Sequence, residues 1–167
     1  FPSIWGLFRD ANPQAEIGFF CQWNGLEYLA EMKAMSKEMH VKAEDDPSGK
    51  ADKAVATHSC AYIKEKKPAF VGIFFDEPDH VGHQSGHDTE TYYQKLEELD
   101  GYISEILNAV KEAGIWDETI FILTADHGGI NKGHGGKTME EMQTPFIISG
   151  KNIKKGYNFT ESMMQFD

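Results

Sequence analysis

Two strand-length apolar runs, Phe70 to Phe75 (FVGIFF) and Thr119 to Thr124 (TIFILT), each pass directly into a cluster of carboxylate, imidazole and glycine. Between them Tyr92, Leu96, Leu99, Ile103, Ile106 and Val110 recur by alternating steps of four and three, which places them on one helical face. Apolar runs of this length, without polar alternation, read as buried strands. Strand, amphipathic helix and strand in that order predict an α/β layered fold, with a largely parallel central sheet flanked by helices. In open sheets of this kind, ligands gather outside the carboxyl ends of the strands. Both polar clusters fall there.

The remaining pattern fits the same architecture. Pro2 to Asp10 predicts a short helix, with Pro2 suited to its first turn. Ala15 to Trp23 predicts a strand, and Glu44 to Lys50 (EDDPSGK) a loop punctuated by proline and glycine. Ala51, Val55, His58 and Tyr62 predict a helix ending in a lysine-rich turn before Pro68. Asp88 or Thr89 suits the start of the long helix and Gly114 its end. Pro145 to Ile148 predicts a last strand, and Tyr157 to Asp167 reads as a helix that breaks off. Four convincing strands are few for a doubly wound domain, so the expectation is a single domain, residues 1–167, that is part of something larger.

Composition narrows the function classes. Sixteen basic against 27 acidic residues leave a net charge of −11, which argues against a reader of the nucleic-acid backbone. The same field repels phosphate esters, and a bound divalent cation would reverse it locally. The apolar runs are strand-length, so no membrane span is expected. Cys21 and Cys60 make no CxxC and are expected as buried free thiols. The chain starts at Phe1, and no compartment is read from that start.

The chemistry lies in three loops. Asp79-His80-Val81-Gly82-His83 places Asp79 and His83 in what reads as a loop with Gly82 and Gly86, able to turn toward one point. Alone, that pair fits a solvated loop better than a site. Asp126-His127-Gly128-Gly129 follows the second strand, and the glycines are expected to supply a turn that lets neighbouring side chains converge. An aspartate capping a turn beside an exposed histidine fits equally. His134 sits in a glycine-rich KGHGG loop. Together Asp79, His83 and His134 make the one-carboxylate, two-imidazole set of many open zinc sites, and Asp126 with His127 makes half of a second. His80 and His87 read as loop residues near the site, His40 and His58 receive no role, and Glu77 is a weakly supported catalytic acid. No HExxH, GxGxxG, P-loop or GxSxG occurs. Asn158-Phe159-Thr160 fits a glycosylation acceptor, a short pattern that often arises by chance.

The run Glu77-Pro78-Asp79-His80-Val81-Gly82-His83, then Ala125-Asp126-His127-Gly128, then Gly133-His134-Gly135, resembles the nucleotide pyrophosphatase/phosphodiesterase branch of the alkaline phosphatase superfamily. The resemblance runs in order from about Pro2 onward. It implies two zinc ions, one held by Asp79, His83 and His134, the other by Asp126 and His127. It also implies an aspartate ligand and a threonine or serine nucleophile upstream of residue 1, since Phe1-Pro2-Ser3-Ile4-Trp5 resembles the segment that follows the nucleophile.

On that footing the expected activity is two-metal hydrolysis of a small-molecule phosphate ester, a diester foremost, through a phospho-enzyme, with the isolated chain inactive. Only six residues separate His127 from His134, which resembles the compact bacterial members rather than the nucleotide-cleaving animal ones. A periplasmic or secreted location follows from the resemblance alone, and oligomeric state is open. A sulfatase or phosphonate hydrolase of the same superfamily, and a non-catalytic metal-binding fragment, are the competing readings.

Overall fold

The computed structural model describes residues 2–41 and 51–158. The predicted loop at Glu44 to Lys50 and most of the predicted terminal helix lie outside these residues. The glycosylation triplet crosses their boundary.

The chain opens with α1 (Ile4–Ala11), whose first turn is capped by Ser3: its Oγ accepts the Gly6 N–H at 3.2 Å. β1 (Ile17–Cys21) is buried along its whole length. It pairs in parallel with β2 (Lys37–His40) on one side and β3 (Phe70–Ile73) on the other. Alternate residues divide the core. Ile17, Phe19 and Cys21 pack with Trp5 of α1, while Phe20 packs with Val55 and Tyr62 of α2 (Ala51–Lys66). Gly18 is required by closeness, since a Cβ there would lie 2.6 Å from the Tyr62 ring. Cys21 is a buried free thiol as expected, and Cys60 is half-buried.

After β3 the chain forms α3 (Asp79–Ser85) and then the long α4 (Glu90–Glu112), with Thr89 as its cap and Gly114 beyond its end at φ +73°. α4 lies on α2 and buries Leu99, Tyr102, Ala109 and Val110. Leu96, predicted on that face, is exposed. β4 (Ile120–Thr124), the one-turn α5 (Met139–Met142) and β5 (Phe146–Gly150) complete the described chain.

Four expectations are corrected. The first motif is not a loop: Asp79 and His83 stand one turn apart on α3. Gly82 inside that helix gives room for the His87 ring, and Gly86, at φ +107°, stops the helix rather than preventing it. The TIFILT strand is not buried, since every residue of β4 except Phe121 is exposed. It pairs with β5 antiparallel, in a sheet separate from the parallel one. Finally, β2 was not predicted. Its sequence KEMH carries no apolar run, and an edge strand half in solvent needs none.

Candidate metal centre

α3 begins directly after the Glu77–Pro78 turn, and the Glu77 carboxylate caps it by accepting the Val81 N–H at 2.9 Å. That use is structural and accounts for Glu77 without a role as catalytic acid. With Asp79 and His83 at i and i+4, the helix sets both on one side. Their closest atoms, Asp79 Oδ2 and His83 Nε2, are 3.2 Å apart.

The other candidate ligands come from the loop after β4. Ile130 and Gly133 bridge a tight turn, in which Asn131 takes φ +52°. The main-chain carbonyls of this turn point back at α3. The Lys132 carbonyl accepts from His83 Nδ1 at 2.9 Å, and the Asn131 carbonyl accepts from His87 Nδ1 at 3.0 Å. The Gly128 carbonyl lies 2.8 Å from His127 Nδ1. A carbonyl can only accept, so each ring holds a proton on Nδ1, and in its neutral form leaves Nε2 as the acceptor. Such a carbonyl partner is the usual orienting contact behind a metal-bound histidine.

The Nε2 atoms of His83, His87 and His134 converge on Asp79. Its Oδ1 lies 3.7 Å from Nε2 of His134 and 3.7 Å from Nε2 of His87. That oxygen is buried and has no hydrogen-bond partner. An orphaned carboxylate oxygen facing imidazole lone pairs is costly in a fold, and a cation between them removes the cost. One ligand atom from each of Asp79, His83 and His134 lies within 4.8 Å of the others, so the first predicted set is brought together.

The second set is brought beside it. The His127 ring stacks on His134, with centroids 3.8 Å apart and planes at 19°. Asp126 Oδ2 is 3.7 Å from His127 Nε2, and Asp126 Oδ1 accepts the His127 N–H. Gly128 and Gly129, expected to supply a turn, do not take a positive φ. A Cβ on Gly128 would meet the Glu140 carbonyl at 2.1 Å, and one on Gly129 the His87 ring at 2.2 Å. Close approach is what they provide. α5, held by a capping box between Thr138 and Glu141, supports that approach with the Glu141 carbonyl on the Gly128 N–H. The Thr138 hydroxyl, then the Gly136 amide, hold the Glu141 carboxyl below its usual range.

His87 is the residue the sequence undervalued. Its side chain is 8% exposed, wedged between Gly82 and Gly129, with Tyr92 against its ring at 5.5 Å. Burial, and then the Asp79 charge, push the Tyr92 phenol above its usual value. The two glycines on either side of His87 lie 47 positions apart in sequence, so no local pattern reveals the wedge. His80 points away and meets Gln84.

The type I phosphodiesterase / nucleotide pyrophosphatase family has a model that matches residues 18–143. The chain belongs to this family. A bovine bis(5'-adenosyl)-triphosphatase, ENPP4, is 38% identical over 60 residues, which cover 35% of this chain and 13% of the relative. A phosphopentomutase of Desulfitobacterium hafniense is 32% identical over 115 residues, covering 68% and 28%. The murine ectonucleotide pyrophosphatase/phosphodiesterase ENPP5, solved as an inactive variant in complex with AMP, superposes with a TM-score of 0.54 at 19% identity. That match covers 75% of this chain and 32% of the murine one, and it shows the shared fold. This phosphodiesterase-family chain spans less than a third of the length of each of these relatives.

Proposed function

We propose that the protein hydrolyses phosphate esters, diesters foremost, at a centre of two zinc ions, one held by Asp79, His83 and His134 and the other by Asp126 and His127. The observation that carries this reading is the buried, unpartnered Asp79 Oδ1 beside Nε2 of His87 and His134, with the His87 Nδ1 proton committed to the Asn131 carbonyl. The donor set of carboxylate oxygen and imidazole nitrogen suits zinc. Bound there, paired ions supply positive charge to the phosphoryl oxygens and the leaving oxygen during in-line displacement. The chain's own residues orient: α3 presents Asp79 and His83, and the carbonyls of Asn131 and Lys132 lock the rings that face them. The chemistry shared by the relatives' names is phosphate, from a triphosphatase to a phosphopentomutase. The attacking hydroxyl belongs, in this proposal, to residues outside 1–167. Thr57, Ser59 and Thr124 each direct their hydroxyls to a backbone carbonyl, and the relatives are more than three times as long as the stretch they share with this chain.

Hydrolysis of bis(p-nitrophenyl) phosphate by the complete gene product tests the reading. The rate is expected to vanish with a chelator, return with zinc and fall to background in Asp79→Asn. A rate indifferent to the chelator would overturn the metal reading, and faster turnover of p-nitrophenyl sulfate would reassign the ester.

A further inference from the structure

A buried carboxylate lies behind the turn that launches α3. Asp52, in the first turn of α2, is 5% exposed. Its Oδ1 accepts the Asp76 N–H at 3.0 Å and its Oδ2 accepts the Glu77 N–H at 3.1 Å. Both oxygens of one side chain are therefore spent on two consecutive amides between β3 and α3. Two residues later comes Asp79, and the Glu77 carboxylate reaches forward to the Val81 amide. The side chain is thus one end of a chain of contacts running from α2, through the backbone of residues 76 and 77, to the ligand-bearing helix.

A structural explanation of this carboxylate fails on its surroundings. The groups facing it are Asp76 and Glu77 from the turn, and Lys95 and Tyr102 from α4. Lys95 pairs with Glu98 at 2.6 Å, and the Tyr102 hydroxyl donates to Glu98 as well. Among the described residues no cation is thereby left to Asp52 alone, and burial pushes its carboxyl up to about 6. A buried acid held against its own preference, with both oxygens on the turn, is suited to placing that turn rather than to stabilising the fold.

We infer that Asp52 is a positioning residue for the metal centre: by holding the amides of Asp76 and Glu77 it fixes the point from which α3 carries Asp79 and His83 to the ion. The inference rests on the reading of Asp79 and His83 as ligands. Asparagine offers a single acceptor oxygen, so Asp52→Asn leaves one buried amide facing an NH2 group.

The test is zinc affinity of the purified protein by competition with a chromophoric chelator, together with the visible spectrum of the cobalt-loaded form. Val55→Ala, fully buried one turn further along the same helix and with no group that can hydrogen-bond the turn, serves as the destabilised control. Asp52→Asn is expected to weaken zinc binding ~10-fold or more, in the range for residues that orient metal ligands, and to alter the cobalt bands. Val55→Ala is expected to leave both unchanged. Equal affinity of Asp52→Asn and the parent would overturn the inference, as would an equal loss in Val55→Ala. A parent protein that binds neither metal would instead overturn the ligand reading on which it rests. Should Asp52→Asn fail to fold, hydrogen exchange of the parent decides. Protection of the Asp76 and Glu77 amides at the level of β3 supports the inference, and rapid exchange at both overturns it.

Discussion

β1 and β4 have similar sequences and opposite surroundings. Both are five residues long and almost wholly apolar, yet β1 is buried throughout while Ile122 of β4 is 60% exposed. β1 has a strand on each edge and a helix against each face. β4 has β5 on one edge and only Phe121 turned into the core shared by α2 and α4. Apolar sequence therefore marks a strand, whereas burial is decided by how many neighbours the fold brings to it. The candidate ligands straddle the difference. Asp79 and His83 extend from the tightly packed half, and Asp126, His127 and His134 from the exposed one.

The comparison is broken most directly by truncating each strand. Phe19→Ala, which removes a ring packed on Trp5 and Phe74, is expected to cost ~3–5 kcal/mol by urea denaturation. Ile122→Ala is expected to change stability by under about 0.5 kcal/mol. Similar losses at the two sites would mean that β4 is covered in solution.

Next in size is a pH effect confined to the packed half. The carboxyl of Asp52 is raised from 3.8 to about 6 by burial, so the folded state holds its proton more tightly than the unfolded one. Its contribution is full below pH 3.8 and is lost as pH rises through 6, about 3 kcal/mol in all. Stability of the metal-free parent relative to Asp52→Asn should decline by that order across this window. A constant difference between the two proteins would show that Asp52 titrates normally.

A smaller expected effect lies where the halves meet. Gly129→Ala drives a methyl into the His87 ring and should cost ~1–3 kcal/mol. It should also raise hydrogen exchange at residues 130–134 and leave β1 unchanged. Uniform loss of protection would mean that the two halves open as one unit.

Most of the packed half was legible in the sequence. The four-and-three spacing located α4, Thr89 lies where its cap is expected, and the candidate ligands stood out by type and order. The failures share one cause, which is that the deciding contact is remote in sequence. Gly82 and Gly86 read as helix breakers, and the ring over Gly82, that of His87, is itself held by the distant Asn131 carbonyl. β2 is held by its pairing with β1, not by its own composition. Asp52 looks like an ordinary first-turn acid until β3 is seen to end above it.

The carbonyls of Asn131 and Lys132 carry a consequence for how such a site changes over generations. They aim His83 and His87 with main-chain atoms, which every amino acid possesses. Substitution at position 132 gives up the Lys132 Nζ contact to the Gln84 carbonyl but keeps the main-chain carbonyl that aims His83. Position 131 must only keep a residue content with φ +52°, as asparagine, aspartate and glycine are. The approach to the candidate centre can thus be remodelled while the main-chain contacts that aim these imidazoles are inherited unchanged.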